Sequence, residues 1–202
     1  MIKNIIFDFG DVFINLDKEA TNKQLLKLQI TENYEELVKL CCQYEIGLIS
    51  TNKFISFFHN KYNISKKDII DAWNAILLDF PQHRLLFLKQ LAASKKYQLF
   101  LLSNTNELHI TWIKNTWGET TYRQFKNCFK QFYLSHEINL RKPDKNCYEF
   151  VLHKNNLNPS ETFFIDDSKE NTDAAQALGI KVWNINPKTE DVVNLLSRKE
   201  FI

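Results

Sequence analysis

Asn4-Ile5-Ile6-Phe7-Asp8-Phe9-Gly10-Asp11 opens the chain with a short, β-rich apolar run that stops abruptly at a carboxylate. A continuous apolar run of this length suits a strand buried on both faces, as in a parallel sheet. Comparable runs follow at Gln98–Leu102, Gln131–Leu134, Thr162–Ile165 and Lys181–Ile185. Helical patterns lie between the later ones. Lys145–Asn156 sets Tyr148, Val151 and Leu152 on one face, and Glu170–Leu178 does the same with Ala174, Ala175 and Leu178. Gly179 stands where a helix-ending glycine belongs, directly before the last run. Strands alternating with helices predict an α/β fold, a doubly wound parallel sheet with right-handed crossovers.

The stretch from about Lys18 to Ser94 differs in kind. Its apolar residues recur at helical spacing: Leu25, Leu26 and Leu28; Leu37, Leu40 and Cys41; Phe54, Phe57 and Phe58; Ile69, Ile70, Trp73, Ile76 and Leu77. Polar breaks fall at Thr31-Glu32-Asn33, Gly47 to Ser50, Asn63 to Lys66 and Phe80-Pro81. The pattern predicts about four inserted helices after the first strand, then one that returns to the sheet. The expected division is a core of residues 1–16 and 85–202 with an inserted α-helical unit at 17–84. By itself the insertion reads as additional core, and the residues at the strand ends are what suggest a cap.

Composition narrows the function classes. Basic and acidic residues nearly cancel, 26 against 24, and no basic block stands out, so nucleic acid and acidic membrane surfaces are not expected partners. The apolar start is broken at Asp8, too early for a signal-peptide core, and no apolar run is long enough to span a bilayer. The four cysteines, Cys41, Cys42, Cys128 and Cys147, show neither CxxC spacing nor zinc-ligand spacing to histidine. They read as reduced packing residues in a cytoplasmic protein.

In an open parallel sheet, ligands bind in the crevice at the strands' C-terminal ends. The first strand ends in Asp8-Phe9-Gly10-Asp11 and the second in Ser103-Asn104-Thr105; Arg141-Lys142-Pro143 follows the third, and the fourth ends in Asp166-Asp167-Ser168. Each group alone has a plain reading: a strand-end aspartate as a turn or helix cap, Ser103-Asn104-Thr105 as an N-cap, Lys142 as solvated surface. Together, at consecutive strand ends, they collect carboxylates, a hydroxyl and an ammonium on one edge. Carboxylates from two strands suit Mg²⁺, and a hydroxyl with a lysine can hold phosphoryl oxygens.

These same segments resemble the haloacid dehalogenase-like superfamily. Ile5-Ile6-Phe7-Asp8-Phe9-Gly10-Asp11-Val12 is similar to its first motif and Leu101-Leu102-Ser103-Asn104-Thr105-Asn106 to its second. Arg141-Lys142-Pro143-Asp144 is similar to the third motif, and Phe163-Phe164-Ile165-Asp166-Asp167-Ser168 to the fourth. The insertion lies where that superfamily carries a helical cap. Within it, Tyr44-Glu45-Ile46-Gly47-Leu48-Ile49-Ser50 resembles the cap of small sugar-phosphate phosphatases similar to bacterial α-glucose-1-phosphate phosphatase. The resemblance implies a Rossmann-like core and Asp8 as nucleophile, forming a transient aspartyl phosphate. It also implies Mg²⁺ held by Asp8, the Gly10 carbonyl and Asp167 with help from Asp166. Ser103, Asn104 through its backbone, and Lys142 would grip the phosphoryl group of a small phosphorylated metabolite. Trp73, Asn74 and Glu45 are cap candidates for substrate contact, Trp73 reading more strongly as core.

One departure stands out. Most phosphatases of the superfamily carry a second aspartate two residues after the nucleophile, as general acid and base; here that position is Gly10. Asp11 could take its place, although an extended backbone would turn its side chain to the opposite face. Water, the cap or the leaving group could supply the proton, or the chain could be a catalytically silent phosphate-binding or regulatory protein. Superfamily 2-haloacid dehalogenases also lack that aspartate. They need no metal, however, and lack the paired acids seen here as Asp166-Asp167, which favours phosphate over halide. The expected activity is Mg²⁺-dependent hydrolysis of a small phosphomonoester, sugar phosphates favoured.

Overall fold

The computed structural model describes residues 1–31 and 34–201. Its elements run β1 (Asn4–Phe7), α1 (Ala20–Lys27), α2 (Tyr34–Glu45), α3 (Thr51–Tyr62), α4 (Lys66–Asn74), α5 (Gln82–Ala93), β2 (Gln98–Ser103), α6 (Glu107–Trp117) and α7 (Glu119–Lys126). They continue with β3 (Gln131–Leu134), α8 (Ser135–Ile138), α9 (Lys145–Asn155), β4 (Thr162–Asp166), α10 (Lys169–Gln176) and β5 (Lys181–Asn184). The strands form one parallel sheet in the order β3-β2-β1-β4-β5. This is the expected α/β fold, with strand ends within one residue of those read from the sequence.

Alternation along the strands fills both faces. Ile5 and Phe7 of β1 join Leu99, Leu101, Phe163 and Ile165 in a cluster closed by Leu85 and Leu88 of α5, Ile113 of α6 and Phe125 of α7. Ile6, Phe100, Leu102 and Phe164 face the other way, against Cys147, Tyr148 and Val151 of α9 and Ala175 of α10. Every strand residue of β1 is buried, so the run carries no polar face. Helix α10 stops short of Leu178, and Gly179, at φ 83°, turns the chain into β5.

Helices α1 to α4 have a hydrophobic centre of their own, built from Ile30, Tyr44, Ile49, Phe54, Ile55, Phe58, Ile64, Ile69 and Trp73, with Leu108 of α6 as its footing on the rest of the chain. Ser50 and Ser65 cap α3 and α4 by accepting from Lys53 N–H and Asp68 N–H. The break read at Thr31-Glu32-Asn33 lies, apart from Thr31, outside the described residues. Leu26 is 60% exposed, while the short helix α1 turns Leu25 and Leu28 inward. Two connectors join these helices to the sheet and run side by side. Asp17 N–H donates to Ile76 O at 2.9 Å, and Leu78 N–H to Asn15 O at 3.0 Å.

The cysteines are unpaired, and burial pushes the thiols of Cys41 and Cys147 up to about 12, which keeps them protonated and unreactive at neutral pH. Among the described residues no helix is long and apolar enough to cross a membrane.

Candidate active site

Because β1 is central, its C-terminal end lies between those of β2 and β4, with Phe7 in register with both Leu101 and Ile165. The chain leaves β1 for β2 on one side and later reaches β4 on the other. Asp8 therefore sits at the point where strand order reverses, which is where an open α/β sheet forms its crevice.

Asp8, Asp166 and Asp167 each bring one carboxylate oxygen to within 4.8 Å of the others. Lys142, 1% exposed, places Nζ 2.7 Å from Asp8 Oδ1 and 2.6 Å from Asp166 Oδ2. Its loop is held by Asn104, whose Nδ2 donates to Lys142 O at 2.8 Å and whose Oδ1 accepts from Lys142 N–H at 2.9 Å. The Asn104 side chain thus fixes the lysine. Ser103 is buried at the end of β2 and lines a cavity of about 110 Å³ together with Gly10, Asn104 and Thr105.

Asp166 is wholly buried and closely engaged. Oδ1 accepts from Ser168 N–H and Asn171 Nδ2, while Oδ2 accepts from Lys142 and Asn171. Asp167 is more open and pairs with Lys18, whose Nζ also lies 3.2 Å from Asp11 Oδ2. Lys18 and Asn171 carry no motif signature and were not legible as site residues. Nor was Arg84, which donates to Phe13 O at 3.2 Å and Asn15 Oδ1 at 2.9 Å and pairs with Asp191, bracing the loop after Asp8.

The electrostatics show a site short of positive charge. Burial pushes the Asp8 carboxyl up to about 7; Lys142 opposes the shift and the Asp166 charge adds to it. Burial also works against the Lys142 charge, but Asp166 and Asp8 outweigh it and push its pKa up. Lys142 is therefore a permanent cation. Asp167 is raised by burial despite Lys18.

The loop after β1 explains two readings of the sequence. A Cβ built on Gly10 would meet Leu16 Cδ1 at 2.7 Å, so Leu16 occupies the space into which a side chain at position 10 would project. Asp11 does not lie on extended backbone, as expected from the sequence, but in a left-handed turn at φ 53°. The turn is closed by Asp11 N–H donating to Ile14 O at 2.7 Å, and Asp11 Oδ1 accepts from Leu16 N–H at 3.0 Å. With Oδ2 3.2 Å from Lys18 Nζ, both its oxygens are engaged.

The segment Tyr44–Ser50 docks the inserted helices on the strand ends. Tyr44 stacks on Phe54 and its hydroxyl accepts from Leu108 N–H at 3.2 Å. Ser135 Oγ accepts from Thr105 N–H and directs its proton at Glu45 O, 2.6 Å away, while Asn139 Nδ2 donates to Ile46 O at 2.7 Å. Gly47, at φ 70°, passes so close to His136 O that a Cβ has no room. Glu45 itself lines the cavity of Gly10 and Ser103, with Arg141 NH2 3.1 Å from its Oε2. Trp73 lies in the hydrophobic centre of the inserted helices, and neither it nor Asn74 lines that cavity.

Known proteins resemble the chain in sequence and fold. A D-ribitol-5-phosphate phosphatase of Bacteroides thetaiotaomicron is 25% identical over 190 residues, covering 91% of each chain. A haloacid dehalogenase family enzyme of the same organism, crystallised with magnesium and inorganic phosphate, is 36% identical. It superposes with a TM-score of 0.82 over 96% of this chain and 99% of its own. A predicted hydrolase of that type from Porphyromonas gingivalis, at 24% identity and a TM-score of 0.84, shares the fold over 98% of this chain and 97% of its own. The haloacid dehalogenase-like hydrolase model matches residues 5–185, and the chain belongs to that family.

Proposed function

We propose that the chain is a Mg²⁺-dependent phosphatase of small phosphomonoesters, with sugar and polyol phosphates as the favoured class. The observation that carries this reading is the buried Lys142 bridging Asp8 and Asp166 beside Asp167. A halide-displacing site has no use for three converging carboxylates, whereas phosphoryl transfer to Asp8 needs positive charge around the incoming dianion. The ribitol-phosphate phosphatase and the relative crystallised with magnesium and phosphate support the same class.

The residues fit Mg²⁺ because they offer hard oxygen donors and because four carboxylates, Asp8, Asp11, Asp166 and Asp167, share only two lysines, Lys142 and Lys18, among the described residues. Asp8, the Gly10 carbonyl and Asp167, with Asp166 behind them, would hold the ion, which when bound offsets phosphoryl charge and keeps Asp8 a carboxylate. Asp8 then attacks phosphorus in line, the bond to the leaving oxygen breaks, and an aspartyl phosphate forms. Lys142 and Ser103, with the backbone of Asn104, hold the phosphoryl oxygens. Water attacks phosphorus in the second half, returning Asp8 and releasing phosphate. Residues 17–84 form a cap over this crevice and 1–16 with 85–202 the catalytic core; the separate hydrophobic centre of α1 to α4 supports that division. Closure of the cap would exclude water during transfer.

The test is phosphate release from a panel of sugar and polyol phosphates with Mg²⁺, with EDTA, and in Asp8→Asn. Turnover should vanish with EDTA and fall at least ~10⁴-fold in the variant. Activity surviving either treatment would overturn the mechanism. Tight metal-dependent binding without turnover would identify a silent binding protein, and chloride release from a 2-haloacid a dehalogenase.

A further inference from the structure

We propose that Glu45, from the inserted helices, is the proton donor to the leaving group, taking the part that Gly10 cannot play; this rests on the phosphatase reading. The leaving alkoxide of a sugar or polyol phosphate is a poor leaving group and needs a proton as the P–O bond breaks. The cavity beside Gly10 is lined by Phe9, Ile14, Leu16, Ile76, Leu77 and Ile113, which have no proton to give, and by Ser103, Asn104 and Thr105 at the end of β2. Two titratable side chains remain on its wall, Glu45 and His109.

His109 is committed to the fold. Its Nε2 faces Trp73 O at 3.3 Å, which makes it the protonated nitrogen, and its Nδ1 faces Asn106 Nδ2 at 3.2 Å. Burial pushes its pKa down to about 4, so the ring is neutral at pH 7 with neither nitrogen available. Glu45 is different. Arg141 NH2 lies 3.1 Å from its buried Oε2, which has no other partner among the described residues. Burial raises the Glu45 pKa by more than Arg141 lowers it, which favours a carboxyl able to carry a proton.

The backbone places the group firmly. Ser135 holds Glu45 O, Asn139 holds Ile46 O, and the close passage of Gly47 over His136 fixes the end of α2. The proton balance closes over both half-reactions. In the first, the Glu45 carboxyl gives its proton to the leaving oxygen as Asp8 forms its bond to phosphorus, releasing the alcohol and leaving a carboxylate that Arg141 compensates. In the second, that carboxylate takes a proton from the attacking water as the Asp8–phosphate bond breaks, which restores the carboxyl.

The test compares leaving groups. In Glu45→Gln, which keeps size and hydrogen bonding but not the proton, kcat/KM for ribitol or glycerol phosphate should fall ~10²–10⁴-fold. For p-nitrophenyl phosphate, whose phenolate leaves without protonation, the loss should stay below about tenfold. Equal losses on both substrates, or none on either, would overturn the assignment. A second measurement needs no variant: the wild-type rate should depend weakly on leaving-group pKa across substituted phenyl and alkyl phosphates, and a steep dependence would also overturn it. A wild type inactive on every phosphate would instead defeat the phosphatase reading itself.

Discussion

The strand ends and the inserted helices place their side chains by different physical means. At the strand ends, backbone geometry does the placing. Asp8, Ser103 and Asp166 each terminate or directly follow a buried strand, and the sheet's register sets them side by side. In the insertion, Glu45 is placed by a few contacts between segments far apart in the chain: Ser135 to Glu45, Asn139 to Ile46, and Gly47 against His136. The first arrangement is redundant, because many ladder bonds enforce it. The second rests on single atoms, so one substitution can undo it while the sheet survives.

That contrast predicts a graded series of effects. The largest belongs to the buried ion pairs. Lys142→Met leaves Asp8 and the fully buried Asp166 without their shared cation, a loss of about 3–5 kcal/mol. In a chain of this size that lowers Tm by roughly 6–20 °C, and phosphate turnover should fall with it. The loss should shrink as pH is lowered, because Asp8, already pushed up to about 7, can then take up a proton. A Tm independent of this residue would mean that the pairs are not the centre of the site.

Gly47→Ala should come next, at roughly 1–3 kcal/mol, since it combines a positive φ with a Cβ that has no room. Its signature is local: limited proteolysis should cut within residues 17–84 earlier than in wild type, with the parallel sheet still intact by circular dichroism. Simultaneous loss of both regions would erase the distinction drawn above. Lys18→Ala should have the smallest effect. It removes a half-exposed cation from Asp167 and Asp11, a pair worth no more than ~1 kcal/mol. Mg²⁺, titrated calorimetrically, should bind up to about fivefold more tightly, and weaker binding would show that Lys18 helps build the site rather than competing for it.

The same contrast explains what could be read in the sequence. The strands were legible to within a residue because burial on both faces leaves a continuous apolar run, and the strand-end acids with Lys142 followed from them. Helices α6 and α7 have no clear sequence signal, since Leu108, Ile110 and Ile113 lie among polar residues that blur the periodicity. The turn at Asp11 departs from the extended backbone that local pattern implies, because it is held by Leu16 N–H, five residues away. Lys18, Asn171 and the hold of Asn104 on Lys142 were invisible for a related reason. They are side-chain contacts across 5 to 149 positions, and no spacing rule encodes them.

Leu16, resting its Cδ1 where a Cβ at position 10 would go, bears on how such a site can diverge. Gly10→Asp alone would have to displace Leu16 from its seat on the wall of the cavity, and trimming Leu16 alone would open a void without adding a carboxylate. The two positions are therefore neighbours in space. The obstruction is the free end of a flexible side chain and not backbone, so a shift of Leu16 can make room for a carboxylate at position 10.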